Sequence, residues 1–398
     1  MGSERASIVH LITRLDLGGA QQNTLYCVEH HDRRRFRVSL WSGEGGLLDA
    51  QARGIRDADV RLLPWLRHPI VPGADARALV RLTAMLREVD LVHTHSSKAG
   101  IVGRIAARAA GVRGIVHTVH GWSFNATQRR ATRRAFIEME RMAARLTDRI
   151  VCVSRADLEA GLALGIGDAA QYRLLRSGID PSLYLVAAGA RERVRASLGF
   201  RPEDVVVGCV ANFKAQKGPL DFVESARRAR ERSPRLKFFI AGDGELRDDV
   251  VRAVREARLE DAVRLLGWRS DVPDLLAATD IFLLTSLFEG LPRVVLQAMA
   301  AGVAVVATNT GGVAEVVVDG VTGFLVPPGR PDVAAEAVAR LGGDEAARRG
   351  MGAAGRSHLS AEFDIRRMVC DLEALYDETL ERTPATSASH LGPRLARH

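Results

Sequence analysis

TSLFEGLPRVVLQAMAAG, Thr285 to Gly302, follows the short apolar run IFLLT and decides the fold. A strand ends at Thr285, a loop runs through Glu289 and Gly290, and Pro292 stands where a helix begins, a position that tolerates its missing N–H. Strand, loop and helix in that order form half of a parallel βαβ unit.

The same alternation extends in both directions. VVVGCVA, LKFFIAG, VRLLG, VAVVAT and GFLVP read as further strands of the second half. In the first half SIVHLI, FRVSLW, VRLLPW, LVHTH, IVHTVH, IVCVS and YRLLRSG do the same, with amphipathic stretches between most of them. Strands alternating with helices imply parallel sheets, and two such series imply two doubly wound, Rossmann-like α/β domains facing across a cleft. The expected division is residues 1–183 for the first domain, 184–363 for the second and 364–381 for a C-terminal helix. TPATSASHLGPRLARH, within 382–398, reads as a disordered tail.

A chain of 398 residues is long enough for two cores. No apolar run approaches the roughly 20 residues of a membrane span, and the opening MGSER is too short and polar for a secretory signal. A cytoplasmic protein is expected. Cys27, Cys152, Cys209 and Cys370 lie far apart and read as reduced core thiols, not as a disulfide framework or zinc site.

The net charge of +8 is unevenly spread: Lys and Arg outnumber Asp and Glu 27 to 18 up to Leu185, and stand at 29 to 30 after it. Part of the excess lies between Arg129 and Arg145, where Phe136, Met139, Ala143 and Leu146 fall at helical spacing beneath six arginines. This is a solvated helix face, or a surface for anionic lipid at the inner membrane face or for a phosphate-bearing acceptor. Nucleic acid is not expected as a partner, because no binding motif accompanies the charge.

The helix after Pro292 aims unpaired backbone N–H groups and a positive dipole end toward the cleft, an arrangement suited to a diphosphate. Glu289 just ahead of it reads equally as a helix-capping residue and as an acceptor for sugar hydroxyls. His93, His95, His117 and His120 suggest a metal set, but no carboxylate or cysteine completes it, and no metal or cofactor is expected. Asp57 and Asp59 form a D-x-D that precedes a strand and reads as a solvated turn.

TSLFEGLPRVVLQAMAAG followed by VVATNTGGVAEVVVDGVTGFLVPPG resembles the donor-site signature of the family-4 glycosyltransferases, retaining enzymes of the two-Rossmann-domain GT-B architecture. The likeness continues through VANFKAQKGPLDF, FFIAGDGELR, RLLGWRSDVPDLL, VSRADLE, HTHSSKAGIVGRIAARAAGV, HTVHGW and RLDLGGAQQNTL, in the family's order over nearly the whole chain. It implies transfer from a nucleotide-sugar, with a UDP-sugar favoured, to an acceptor hydroxyl without a metal. Lipid-linked and small-molecule acceptors both stay open. The resemblance assigns sugar hydroxyls to Glu289, with Gly290, Leu291 and Pro292 close by. Lys217 would neutralise the diphosphate, and Gly218 would let the chain approach it. By the same resemblance Gly18 and Gly19 would form a glycine loop at the donor diphosphate or the acceptor, His120 would contact the donor sugar, and Gly311, Gly312 and Glu315 would lie near the donor.

Two positions depart from the family pattern. Where the signature has a second Glu touching the ribose, this chain has Gln297, and the usual phosphate-site Arg is replaced by Asn212, with Lys214 a nearby substitute. A charge-assisted contact becomes a neutral one at Gln297. An epimerase or phosphorylase on the same architecture, and a silent sugar-nucleotide binding subunit, are the rival readings.

Overall fold

The computed structural model describes residues 5–67, 71–125, 128–185 and 189–382. Seven strands form the first sheet: β1 (Ala6–Arg14), β2 (Phe36–Gly43), β3 (Asp59–Leu63), β4 (Leu91–His95), β5 (Gly114–Val119), β6 (Arg149–Cys152) and β7 (Tyr172–Leu174). Six form the second: β8 (Val205–Val210), β9 (Leu236–Ala241), β10 (Val263–Leu265), β11 (Ile281–Leu284), β12 (Ala304–Thr308) and β13 (Gly323–Val326). These are the runs read as strands from their apolar, β-branched composition, and all pair in parallel because helices intervene. The thirteen strands complete two doubly wound α/β domains.

The orders are β3-β2-β1-β4-β5-β6-β7 and β10-β9-β8-β11-β12-β13. Each reverses direction beside its first strand, between β1 and β4 and between β8 and β11. At such a switch point the loops at the carboxyl ends of the strands part and leave a crevice for ligand. Register is fixed by burial on both faces: Ile8 lies between Val38 and Leu91, and Ile281 between Val207 and Ala304.

The last helix, Ile365–Arg382, packs on the first sheet although it follows the second in sequence. Ile365, Met368, Val369, Leu372, Leu375, Tyr376 and Leu380 are buried against a core that includes Ile8, Leu25, Val28 and Phe36. Each such side chain contributes about 1.5–3 kcal/mol when removed from water, so this strap is part of the first domain's core. The 382–398 tail lies outside the described residues beyond Arg382. Among the described residues no helix is long and apolar enough to cross a membrane.

Two sequence expectations need correction. Cys27, Cys152 and Cys209 are buried, but Cys370 is exposed on the outer face of the last helix, so it is not a core thiol. In helix Arg130–Ala144 the buried seam is Ile137, Glu140, Ala143 and Ala144; of the expected stripe only Ala143 is buried, with Phe136 half-buried at the core's edge. The shift has a polar cause: Glu140 is drawn inward by Arg104 at 2.6 Å, an ion pair whose side chains are 3% and 1% exposed. The helix's outer side does carry exposed Arg130, Arg134 and Met142, with exposed Arg129 and Arg145 flanking it. Asp57 and Asp59 are exposed: Asp57 sits in a positive-φ turn, as expected, whereas Asp59 already opens β3 and pairs with Arg61.

Candidate active site

A cleft of about 570 Å³ opens between the carboxyl ends of the two sheets, a volume in the range of small-molecule sites. Its second-domain wall comes from the loops after β8 and β11. Its first-domain wall comes from the loop after β1, with Gly18 and Gly19, and the loop after β5, with His120. A recess of about 610 Å³ on the far side of the second domain is also lined by charges. There Arg191 and Arg195 are paired with Asp280, and Arg349 with Glu345, while Arg348 bonds the carbonyls of Leu341 and Gly342.

Glu289 and Lys217 meet at the cleft. Lys217 Nζ lies 2.6 Å from Glu289 Oε1, and Ser286 Oγ donates to the same oxygen at 2.6 Å. One carboxylate oxygen is thus held, and the other has no hydrogen-bond partner among the described residues. The Glu289 side chain is 6% exposed, so its contacts operate with little competition from water. The loop carrying it is tied down from both ends: the Leu287 N–H donates to the Gln216 carbonyl, and the Gln216 amide donates to the Phe288 carbonyl.

Across from this pair, the loops of the two domains touch backbone to backbone. A Cβ on Gly290 would fall 2.7 Å from the His120 carbonyl oxygen, so only glycine lets the strand ends close to this distance. His120 and Glu289 are thereby brought to opposite walls of one cleft. Burial, and then the charge of Arg293, pull the His120 pKa down to about 4, so the ring is neutral at neutral pH. Asn212 lines the floor, and its buried Oδ1 has no protein partner among the described residues. Lys214, Leu291, Pro292 and Gln297 line it as well. Pro292 is the N-cap of helix Arg293–Ala300, and Gln297, on its second turn, is 9% exposed.

Four residues expected at the donor are not among those lining the cleft. Gly218 is buried against the Thr285 carbonyl. Gly311, at φ +53°, packs under the Glu289 carbonyl so closely that a Cβ would overlap it, and the Gly312 N–H donates to the Gly290 carbonyl at 2.7 Å. Gly311 and Gly312 thus pack against the Glu289–Gly290 backbone. Glu315 lies at the domain junction: it accepts the N–H groups of Arg155 and Ala156 at 2.9 Å, at the start of first-domain helix Arg155–Ala163, and pairs with Arg176. A carboxylate at a helix N-terminus is favoured by the dipole, but the helix is in the other domain, which local sequence could not reveal.

Arg293 is a cleft residue that motif reading passed over. Its guanidinium bridges the domains, with Nε donating to the Gly178 carbonyl at 3.0 Å and Nη1 to the Gly19 carbonyl at 3.4 Å. Among the described residues no carboxylate pairs with it, which leaves a partly buried cation beside the glycine loop. The signal was in the sequence, an arginine directly after the N-cap proline. His93, His95 and His120 do converge, joined by His10 and His31, whereas His117 points to the opposite sheet face and bonds Thr94 at 2.9 Å.

Comparison with known proteins shows the family and the fold. A family model described as Glycosyltransferase Family 4 matches residues 17–183, and one described as Glycosyl transferases group 1 matches residues 190–358. The chain is 33% identical over 348 residues to an Escherichia coli UDP-Gal:α-D-GlcNAc-diphosphoundecaprenol α-1,3-galactosyltransferase, covering 86% of this chain and 89% of that protein. It is 31% identical over 372 residues to the α-maltose-1-phosphate synthase of Mycolicibacterium smegmatis, covering 83% and 94%. Among solved structures, Anabaena HepE in complex with UDP-glucose superposes with a TM-score of 0.82 at 23% identity, covering 94% of this chain and 99% of that one.

Proposed function

The chain belongs to the family-4 glycosyltransferases, and from that premise we propose that it transfers a hexose from a UDP-sugar, with retention and without a metal, to a polyprenyl-diphosphate-linked glycan. The observation that carries this reading is the Lys217–Glu289 pair on the cleft wall opposite His120, where glycine backbone lets the two loops meet. In this reading the free oxygen of Glu289 accepts hydroxyl hydrogens of the transferred sugar. Positive charge develops at the anomeric carbon as the diphosphate departs, so the carboxylate stabilises the transition state more than the ground state.

The departing diphosphate needs positive charge, and the cleft supplies it from Lys217, Arg293 and the N-terminus of helix Arg293–Ala300. Such preorganised groups do not have to reorganise as the bond breaks. Arg293 takes over from the arginine that Asn212 replaces. The acceptor hydroxyl attacks from the face the diphosphate leaves, and a diphosphate oxygen takes its proton. Gln297 reaches the ribose, which does not react.

The lipid-linked acceptor is supported by the relation to the galactosyltransferase, whose name specifies a diphosphoundecaprenol acceptor. The exposed basic face of helix Arg130–Ala144, with Met142 59% exposed among its arginines, suits peripheral contact with anionic membrane from the cytoplasmic side. The decisive assay is transfer from UDP-galactose or UDP-glucose to a short-chain GlcNAc-diphosphoprenol in EDTA, with the product anomer read by NMR. An α-linked product formed in EDTA is expected; an inverted product or absolute metal dependence would sink the mechanism.

A further inference from the structure

Behind His120 a line of buried imidazoles crosses the first domain to the C-terminal helix. His120 Nε2 lies 3.2 Å from His95 Nδ1, and His95 Nε2 lies 3.0 Å from His10 Nδ1. His10 Nε2 lies 3.0 Å from His31 Nε2, and His31 Nδ1 lies 3.1 Å from Glu373 Oε1. Strand pairing builds it. His10 on β1 is in register with His93 on β4, and His95, two residues on, shares that face. Helix Ile365–Arg382 covers the same face and contributes Glu373 and Tyr376.

A neutral imidazole has one N–H and one lone pair, so the direction of one bond in such a line dictates the next. Burial lowers the pKa of His10, His31 and His95 as it does that of His120, which keeps all four rings neutral. Burial alone would raise the Glu373 carboxyl. Bonds from His31 and the Asp32 N–H, with the Arg35 charge, outweigh it and hold Glu373 below the usual carboxylate range. An ionised carboxylate only accepts, so His31 donates from Nδ1 and accepts at Nε2. His10 then donates from Nε2 and accepts at Nδ1, and His95 does the same in turn. His120 must donate from Nε2, which leaves Nδ1 as a bare lone pair. The side branch is consistent: the Tyr376 hydroxyl donates to His93 Nδ1 at 2.5 Å, and His93 Nε2–H donates to Thr118 Oγ1 at 2.6 Å.

We propose that Glu373, acting as a positioning residue through His31, His10 and His95, fixes His120 in the Nε2–H tautomer and makes its Nδ1 an acceptor for a hydroxyl of the transferred sugar. The sugar contact rests on the donor-site reading of the cleft; the tautomer is a property of the free protein. His10, His93 and His95 also bring ring nitrogens within 4.8 Å of one another, a spacing at which a divalent cation such as zinc would compete with the bridging protons. Each of their six ring nitrogens already has a hydrogen-bond partner.

Long-range ¹H–¹⁵N correlation of the histidine rings in the full-length chain tests this, with a His120→Gln sample to assign the signal. Wild type is expected to show His120 protonated at Nε2 and bare at Nδ1. Glu373→Gln, which removes the charge that orients the line, should lose that single form. A wild-type His120 protonated at Nδ1, an unchanged tautomer in folded Glu373→Gln protein, or stoichiometric zinc retained on His10 and His95 would each overturn the relay. Should Glu373→Gln not fold, the wild-type spectrum still decides. Saturation with UDP-glucose should then shift Nδ1; no shift would overturn the sugar contact and leave the tautomer result standing.

Discussion

In the first domain the central strands β1, β4 and β5 carry His10, His93, His95 and His117 through the middle of the sheet. The corresponding strands β8, β11 and β12 of the second domain carry Val207, Phe282, Leu283, Val305 and Val306. Topology is shared, and the chemistry at its centre is not. The apolar sheet gains stability from packing alone and leaves the polar groups to the elements beyond its strand ends, where Lys217, Glu289 and, on the following helix, Gln297 meet the cleft. The histidine-bearing sheet gives up some of that stability, since every buried polar group needs a partner, and in return has a polar line running from its back to the cleft.

The largest effect that could break this comparison is acid. Burial lowers the pKa of His10, His31, His93, His95, His117 and His120 in the folded chain. Depressed folded pKa values mean that stability is present above the ordinary histidine value near 6.5 and lost as pH falls below it. The window reaches down to about 4 for His120. Each such group costs about 1.4 kcal/mol per pH unit across its window. Asp157, raised to about 6 mainly by burial, acts in the opposite sense but is one group against six. Between residues 190 and 382 the only histidine is His358, which is exposed. Hydrogen exchange between pH 7 and pH 5 should therefore show β1, β4 and β5 losing protection before β8, β11 and β12. Simultaneous loss in both sheets would break the contrast.

Next in size is Glu140→Ala, which leaves Arg104 buried and unpaired and should lower first-domain stability by about 3–5 kcal/mol. Replacing both partners with apolar residues of similar volume should recover most of it, since the pair's cost is desolvation. Denaturant unfolding of the three proteins checks this; equal losses in the single and double variants would show that shape, not charge, is what the site requires.

In the apolar domain the sensitive groups should be those at the loop ends. Glu289→Ala is expected to lower kcat about 100-fold or more, the scale of losing one preorganised polar contact. The smallest effect should come from Gln297→Ala, a several-fold rise in donor KM at nearly constant kcat, because a ribose contact is uniform binding. Gln297→Glu should stay active. Steady-state kinetics with varied donor separate the two roles; near-normal kcat in Glu289→Ala, or no turnover at saturating donor in Gln297→Ala, would reverse them.

The thirteen strands and the helix after Pro292 could be read from the amino-acid sequence, because periodicity, turn residues and strand-end loops are local properties; the gathering of Glu289, Lys217, His120, Gly18 and Gly19 at one cleft was legible there only through the family resemblance. Tertiary packing alone determined the rest. Glu315 caps a helix of the other domain, the last helix straps the first sheet, Glu140 turns inward to meet Arg104, and Glu373 closes a line of histidines that begins at the cleft. Those partners stand tens to hundreds of residues apart, and no local pattern marks them. A carboxylate or an imidazole reads the same in sequence whether it faces solvent, a ligand or another domain, and only packing decides which neighbour it must satisfy.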